Sequence, residues 1–242
     1  MKKNIGKITY ITFMVLTLIS LIQSIYLKNL ASVGLSAIAL FTLSLPNIIK
    51  KIFKLEIPAL LEVLLYLFIY AGIVLGSVYR LYDNFEMWDN FLHYTSGILT
   101  SLIAYSLIYI LGKKNNLSIS LILIFCFSFS LMTGVIWEFI EFTCDNTIRG
   151  DMQKDTIVDS IATTIYKDRL SIKDIDYTII HSKGQEYRID NGYLDIGLFD
   201  TIKDLFANFL GAITYVVLMY YHLAKNKLKF MNNLVIKKAS SN

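Results

Sequence analysis

Six stretches dominated by apolar residues divide this chain, at 8–27, 30–49, 57–78, 88–111, 117–142 and 200–222. Each holds about 20 residues, and at about 1.5 Å of rise per residue a helix of that length crosses a hydrocarbon layer. The first two are joined by the tight turn Lys28-Asn29. The second is the least apolar, with several serines and Pro46. Pro58 opens the third, where a missing backbone N–H costs nothing. The start Met1-Lys2-Lys3 followed by an apolar run resembles a secretory leader. The run is too long for one and no small-x-small site follows, so it reads as a retained span. The pattern predicts an all-α polytopic membrane protein, a bundle of six transmembrane helices.

Between the fifth and sixth spans the pattern changes to period two. Residues 176–180 and 186–189 alternate around His181-Ser182-Lys183-Gly184-Gln185, which reads as a hairpin loop. Asn191-Gly192 is a second turn signal, leading into 193–196. A small external β-meander is therefore expected. The organisation becomes helices one to five over 1–143, a polar extracytoplasmic insert over 144–199, helix six over 200–224, and a basic cytoplasmic tail over 225–242. The insert is too small for a core of its own. It should lean on the membrane domain or on a partner, such as an envelope protein or a lipid-linked substrate.

Composition agrees: of 242 residues, 55% are hydrophobic and 17% charged, outside the range of ordinary soluble domains. The net charge of +4 is not a nucleic-acid signal, because the bases lie in short connections. Lys2, Lys3 and Lys7 precede span one; Lys50, Lys51 and Lys54 follow span two; Lys113 and Lys114 follow span four; five lysines follow span six. All fall on one side if both termini are cytoplasmic, the arrangement expected of a multi-pass plasma-membrane protein. Cys126 and Cys144 share one predicted helix about 27 Å apart, beyond disulfide reach.

The candidate chemistry sits at the opposite ends of spans four, five and six. Glu138, Glu141 and Asp145 are spaced i, i+3, i+7, on one helix face. They close span five, where the helix dipole already presents negative charge. Acids inside an apolar boundary need compensation. Arg80, Arg149, Lys154, a protonated His93, a shared proton or a metal ion could supply it. Span four opens with Asp89 and His93, i and i+4; span six opens with Asp200 and Asp204, with Asn208 following. The expected site is His93, Glu138, Glu141, Asp200 and Asp204, with Asp89, Asp145 and Asn208 secondary. His93, Glu138, Glu141 and Asp204 are the ligands expected for a divalent metal ion. Each acid also has a simpler role: Asp200 and Asp89 suit helix caps, and Asp204 suits a first turn. Trp88 and Trp137 read as interfacial aromatics, and Gly134, Gly211, Gly72 and Gly76 as close-packing positions. Glu62 lies in span three, toward the other side, and reads as snorkelling to the surface or pairing with Lys54, outside the site.

These motifs carry a resemblance. Asp89-x-x-x-His93, Trp137-Glu138-x-x-Glu141, Met152-Gln153 and Asp200-Thr-x-x-Asp204 are similar to the YjdF-like family of bacterial integral-membrane proteins. The first motif also resembles the VanZ-like proteins associated with glycopeptide resistance. The likeness spans roughly 82–221 and implies a polytopic bacterial membrane protein. It carries no catalytic assignment, and the stretch 155–191 is longer than the family pattern. Three roles fit the residues. The first is non-catalytic, the polar cluster holding helices together while the insert binds a partner. The second is a metal-dependent enzyme acting on a lipid or lipid-linked envelope substrate, although no HExxH or nucleophile elbow is present. The third is a proton- or cation-coupled transporter, although the acids crowd one face instead of crossing the membrane.

Overall fold

The computed structural model describes residues 2–112, 117–148, 150–164 and 170–239. Among the described residues six helical segments are long and apolar enough to span a membrane: α1 (Lys2–Tyr26), α2 (Leu30–Phe53), α3 (Ala59–Ile69) together with its helical continuation to Val78, α5 (Trp88–Ile110), α6 (Ile119–Ile148) and α7 (Leu198–Lys225). A short α4 (Leu81–Asn84) precedes α5. In lipid every backbone polar group must be satisfied within the chain, and hydroxyls along the spans bond back to carbonyls one turn earlier. Thr17, Ser20 and Ser24 do so in α1. At the first turn Asn29 accepts from the Ser32 N–H at 3.1 Å and caps α2. That helix continues through Pro46 to Phe53, four residues beyond the expected end.

Span three departs from a plain α-helix. After Ile69 it continues as a π-helix, Tyr70–Val78, and the Tyr79 N–H bonds to the Val74 carbonyl five residues back, at 2.9 Å. Gly76 has no room for a β-carbon beside the Tyr82 ring, and Gly72 lies near the same side chain. Hydropathy does not distinguish α from π backbone, so the wider turn had no signal in the apolar pattern. Glu62 pairs with Lys50, not Lys54.

The chain divides into two compact units, Met1–Gly134 with Leu205–Asn242, and Val135–Asp204. In the first unit Leu61, Leu102, Tyr105, Ile122, Cys126, Tyr215 and Met219 form a buried core. Gly97 of α5 meets Gly211 and Ala212 of α7 so closely that neither glycine has space for a side chain. Such small-residue contacts let helix backbones approach in lipid. Tyr94 and Thr214 share a hydrogen bond of 3.0 Å at this crossing. Ser130 of α6 donates to the Gly97 carbonyl at 3.0 Å and bonds Thr100 at 2.9 Å.

The basic C-terminal stretch belongs to this core. Met231, Val235 and Ile236 are buried in it. The Ile236 N–H donates to Ser106 Oγ at 3.1 Å. Strand β8 (Lys237–Lys238) pairs antiparallel with β1 (Leu55–Glu56) in the connection between α2 and α3. His222 faces the Lys227 carbonyl and Asn232 Oδ1, each at 3.1 Å.

In the second unit lies the strand insert expected between spans five and six. The hairpin is β5 (Tyr177–Ser182) with β6 (Gln185–Asp190). Its loop is only Lys183-Gly184, both at positive φ, the two-residue turn whose twist matches paired strands. Beyond Asn191-Gly192 the chain does not continue the meander from β6. Instead β7 (Tyr193–Asp195) pairs antiparallel with β2 (Thr156–Val158), closing the insert on its own beginning. Gly192, at φ 149°, makes the crossover possible because a β-carbon there would strike the Val158 carbonyl. A third ladder joins β3 (Ile161–Thr163) to β4 (Leu170–Ile172).

Candidate carboxylate site

Helix α6 does not end at residue 142. Thr143, Asn146 and Thr147 donate back to carbonyls one turn earlier, and the helix runs to Ile148. This corrects the electrostatic reading of its acids. Dipole effects fall away beyond the last turn, so they act on Asp145 and not on Glu138 or Glu141. Burial is what makes those two costly: Glu138 is 4% exposed and Glu141 6%. Helix α7 likewise begins earlier than expected, at Leu198. Asp200 is therefore a first-turn acid and not the cap; Asp195 Oδ2 accepts the Phe199 N–H at 2.9 Å. Asp204 moves out of the first turn, so the capping role does not account for it. It is 1% exposed.

Glu138, Glu141 and Asp204 come together in the second unit, with one oxygen of each within 4.8 Å of the others. Two unit charges at that separation repel by about 3–4 kcal/mol at an effective dielectric near 20. A cation, protons or a basic group can offset that repulsion. Oxygen donors alone suit hard divalent ions such as Mg, Mn or Ca. One neighbour was not anticipated as a partner: the Trp137 indole N–H donates to Glu141 Oε1 at 2.7 Å. The i, i+4 spacing was visible in the sequence, but tryptophan near a span end has a ready interfacial explanation.

Asp145 and Asp200 also make backbone bonds within the second unit. Asp145 accepts the N–H groups of Met152 and Gln153 at 2.7 and 2.8 Å. Asp200 accepts the Lys154 N–H at 2.7 Å. Gln153 donates to Thr201 Oγ1 at 2.6 Å. These bonds form a strap from the end of α6 to the start of α7, and Gly197 leaves room for the Gln153 side chain. Asp89 and His93 belong to the first unit and pair with each other at 3.4 Å. Asn208, also in that unit, packs against Gly134. It is 1% exposed, and its amide has no hydrogen-bond partner among the described residues. Among the basic groups considered, Arg80 pairs with Asp83, Lys154 with Asp151, and Arg149 lies outside the described residues. Beside the strap, Asp155 is held above the ordinary carboxylate value, first by desolvation and then by Asp151, Asp145 and Asp195.

Residues 8–225 match the family described as "Predicted membrane protein (DUF2238)", a stretch that contains nearly all of the six spans and the whole insert. The chain belongs to this family. The YjdF-like resemblance is compatible with DUF2238 membership, and the match accords with a multi-pass protein residing in a lipid bilayer. A Thermotoga maritima protein described as "Uncharacterized protein" is 28% identical over 124 residues. The match covers 48% of the DUF2238 chain and 62% of that relative, so the chain spans about three-fifths of the relative's length. No solved structure matches the chain.

Proposed function

We propose that this DUF2238 protein is a multi-pass plasma-membrane protein that binds a divalent cation through Glu138, Glu141 and Asp204, and that the ion clasps spans five and six for a structural or partner-binding role. One observation carries the reading: three buried carboxylates from two helices within 4.8 Å. A cation relieves their repulsion and takes all three as ligands. Asp204 has left the helix end where an acid is explained by capping alone. The YjdF-like motifs support the same stretch of chain, since they include all three acids.

The reading puts both termini in the cytoplasm and the insert outside, where a partner would meet it. Charge asymmetry supports this. So does the β1–β8 pairing, which brings the α2–α3 connection and the C-terminal segment to one side.

The test is Mn2+ binding by the purified full chain in lipid nanodiscs, followed by electron paramagnetic resonance. Glu141→Gln and Asp204→Asn should each weaken binding at least about tenfold, because each removes a charged ligand with little change of volume. Glu86→Gln, at an exposed position, should leave it unchanged. No binding by the native chain at millimolar Mn2+, or an unaffected Asp204→Asn variant, would overturn the proposal.

A further inference from the structure

The indole N–H of Trp137 points at one of the three carboxylates, although the ring is 45% exposed. An interfacial tryptophan ordinarily gives its N–H to water or a headgroup. Here the donor engages a glutamate that is itself 6% exposed. The 2.7 Å separation is shorter than the usual N–H···O distance of about 2.9 Å, as a charged acceptor makes it.

A carboxylate can bind a cation through one oxygen or through both. Ca2+ takes six to eight oxygens and favours two-oxygen chelation by a glutamate. Mg2+ demands a tight octahedron, and Mn2+ shares its preference for oxygen donors in that geometry. Bonding to the indole fixes the plane of the Glu141 carboxylate and engages Oε1. Chelation by both oxygens would require that bond to be broken or shared. The indole N–H occupies one of the two Oε1 lone pairs, and this competition favours one-oxygen ligation by Glu141.

We propose that Trp137 is a positioning residue that makes the carboxylate site selective for small octahedral ions of the Mg2+ and Mn2+ class over Ca2+. This rests on the cation reading of Glu138, Glu141 and Asp204, and adds which ion the site takes and which residue decides it. The i, i+4 geometry of α6 holds Trp137 over Glu141, so the selectivity is built into a single helix.

The experiment compares Mn2+ and Ca2+ affinities of the full chain in nanodiscs, for the native protein and for Trp137→Phe, Trp137→His and Trp88→Phe. Trp137→Phe keeps an aromatic ring and removes the donor. Loss of a bond that orients a metal ligand typically costs 10–100-fold in affinity. The Mn2+/Ca2+ affinity ratio should therefore fall about tenfold or more in Trp137→Phe. Trp88→Phe should keep the native ratio. Trp137→His retains a ring N–H and should stay within about threefold of it, on the same scale of outer-shell effects. A general loss of stability would weaken both ions together and leave the ratio alone. The inference is overturned if the native chain binds Mn2+ and Trp137→Phe keeps the native ratio. Should Trp137→Phe not yield folded protein, Trp137→Leu, which also lacks the donor, decides: a tenfold fall of the ratio supports the inference and a native ratio overturns it. A native chain that binds neither ion refutes the cation reading itself, and with it this inference.

Discussion

Replacing Gly97 by alanine perturbs the closest helix crossing in the first unit. A β-carbon at Gly97 would overlap the Asn208 carbonyl, and would lie 2.8 Å from the Ala212 nitrogen and 3.0 Å from the Gly211 Cα. All three are backbone atoms of α7, so no side-chain rotation relieves the clash and the helices must separate. Overpacking of this kind costs about 1–3 kcal/mol. Separation also strains the Ser130–Gly97 and Tyr94–Thr214 bonds, worth about 0.6 kcal/mol each by the average for interhelical bonds in membranes. Alanine returns about 1 kcal/mol of helix propensity. The balance is a loss of about 1–3 kcal/mol. At roughly 2–4 °C per kcal/mol for a chain of this size, Tm should fall by about 3–10 °C. Gly34→Ala is the matched control, since a β-carbon there meets nothing within 4 Å; it should leave Tm unchanged or raise it. Thermal unfolding in detergent, read by monodispersity on size exclusion, measures both. Equal shifts in the two variants would refute the crossing argument, because propensity alone would then account for them.

Met231→Ala empties a position 3% exposed in the same core, and large-to-small changes at such sites cost about 2–5 kcal/mol; Tm should fall by about 5–15 °C, and an unchanged Tm would detach the C-terminal segment from the core. Asp155 is raised in the folded state, so its ionisation costs stability above its folded value, and that cost disappears as pH falls through that value toward 3.8. Asp155→Asn should therefore raise Tm slightly at pH 7, by at most about 2 °C, with no gain near pH 3.5; a gain that persists in acid would contradict the assignment. A single cysteine introduced as Gly184→Cys, with Cys126 and Cys144 replaced, should react with an impermeant maleimide on intact cells; labelling only after membrane disruption would invert the proposed topology.

The spans were legible in the sequence because a bilayer imposes a one-dimensional rule: about 20 apolar residues, with backbone bonds closed internally. The hairpin was legible because Lys183-Gly184 and the period-two alternation on each side are local signals. Glu138 and Glu141 stood out for the same reason, as two acids i, i+3 inside an apolar run. Helix ends were less legible: Thr143, Asn146 and Thr147 lengthen α6 by bonds to its own carbonyls, and that shift removed the dipole from the account of the acids. What only the tertiary structure decided is which groups meet. Asp204 joins Glu138 and Glu141 while Asp145 and Asp200 turn to the strap. Strand β7 returns to β2, and the stretch from Met231 to Ile236, too short and too basic in its surroundings to register as an apolar run, enters the core. Periodicity assigns each residue a face of its own element. Which face meets which depends on close approaches such as Gly97 against Gly211, and those are set by the shape of the partner and not by the pattern along the chain.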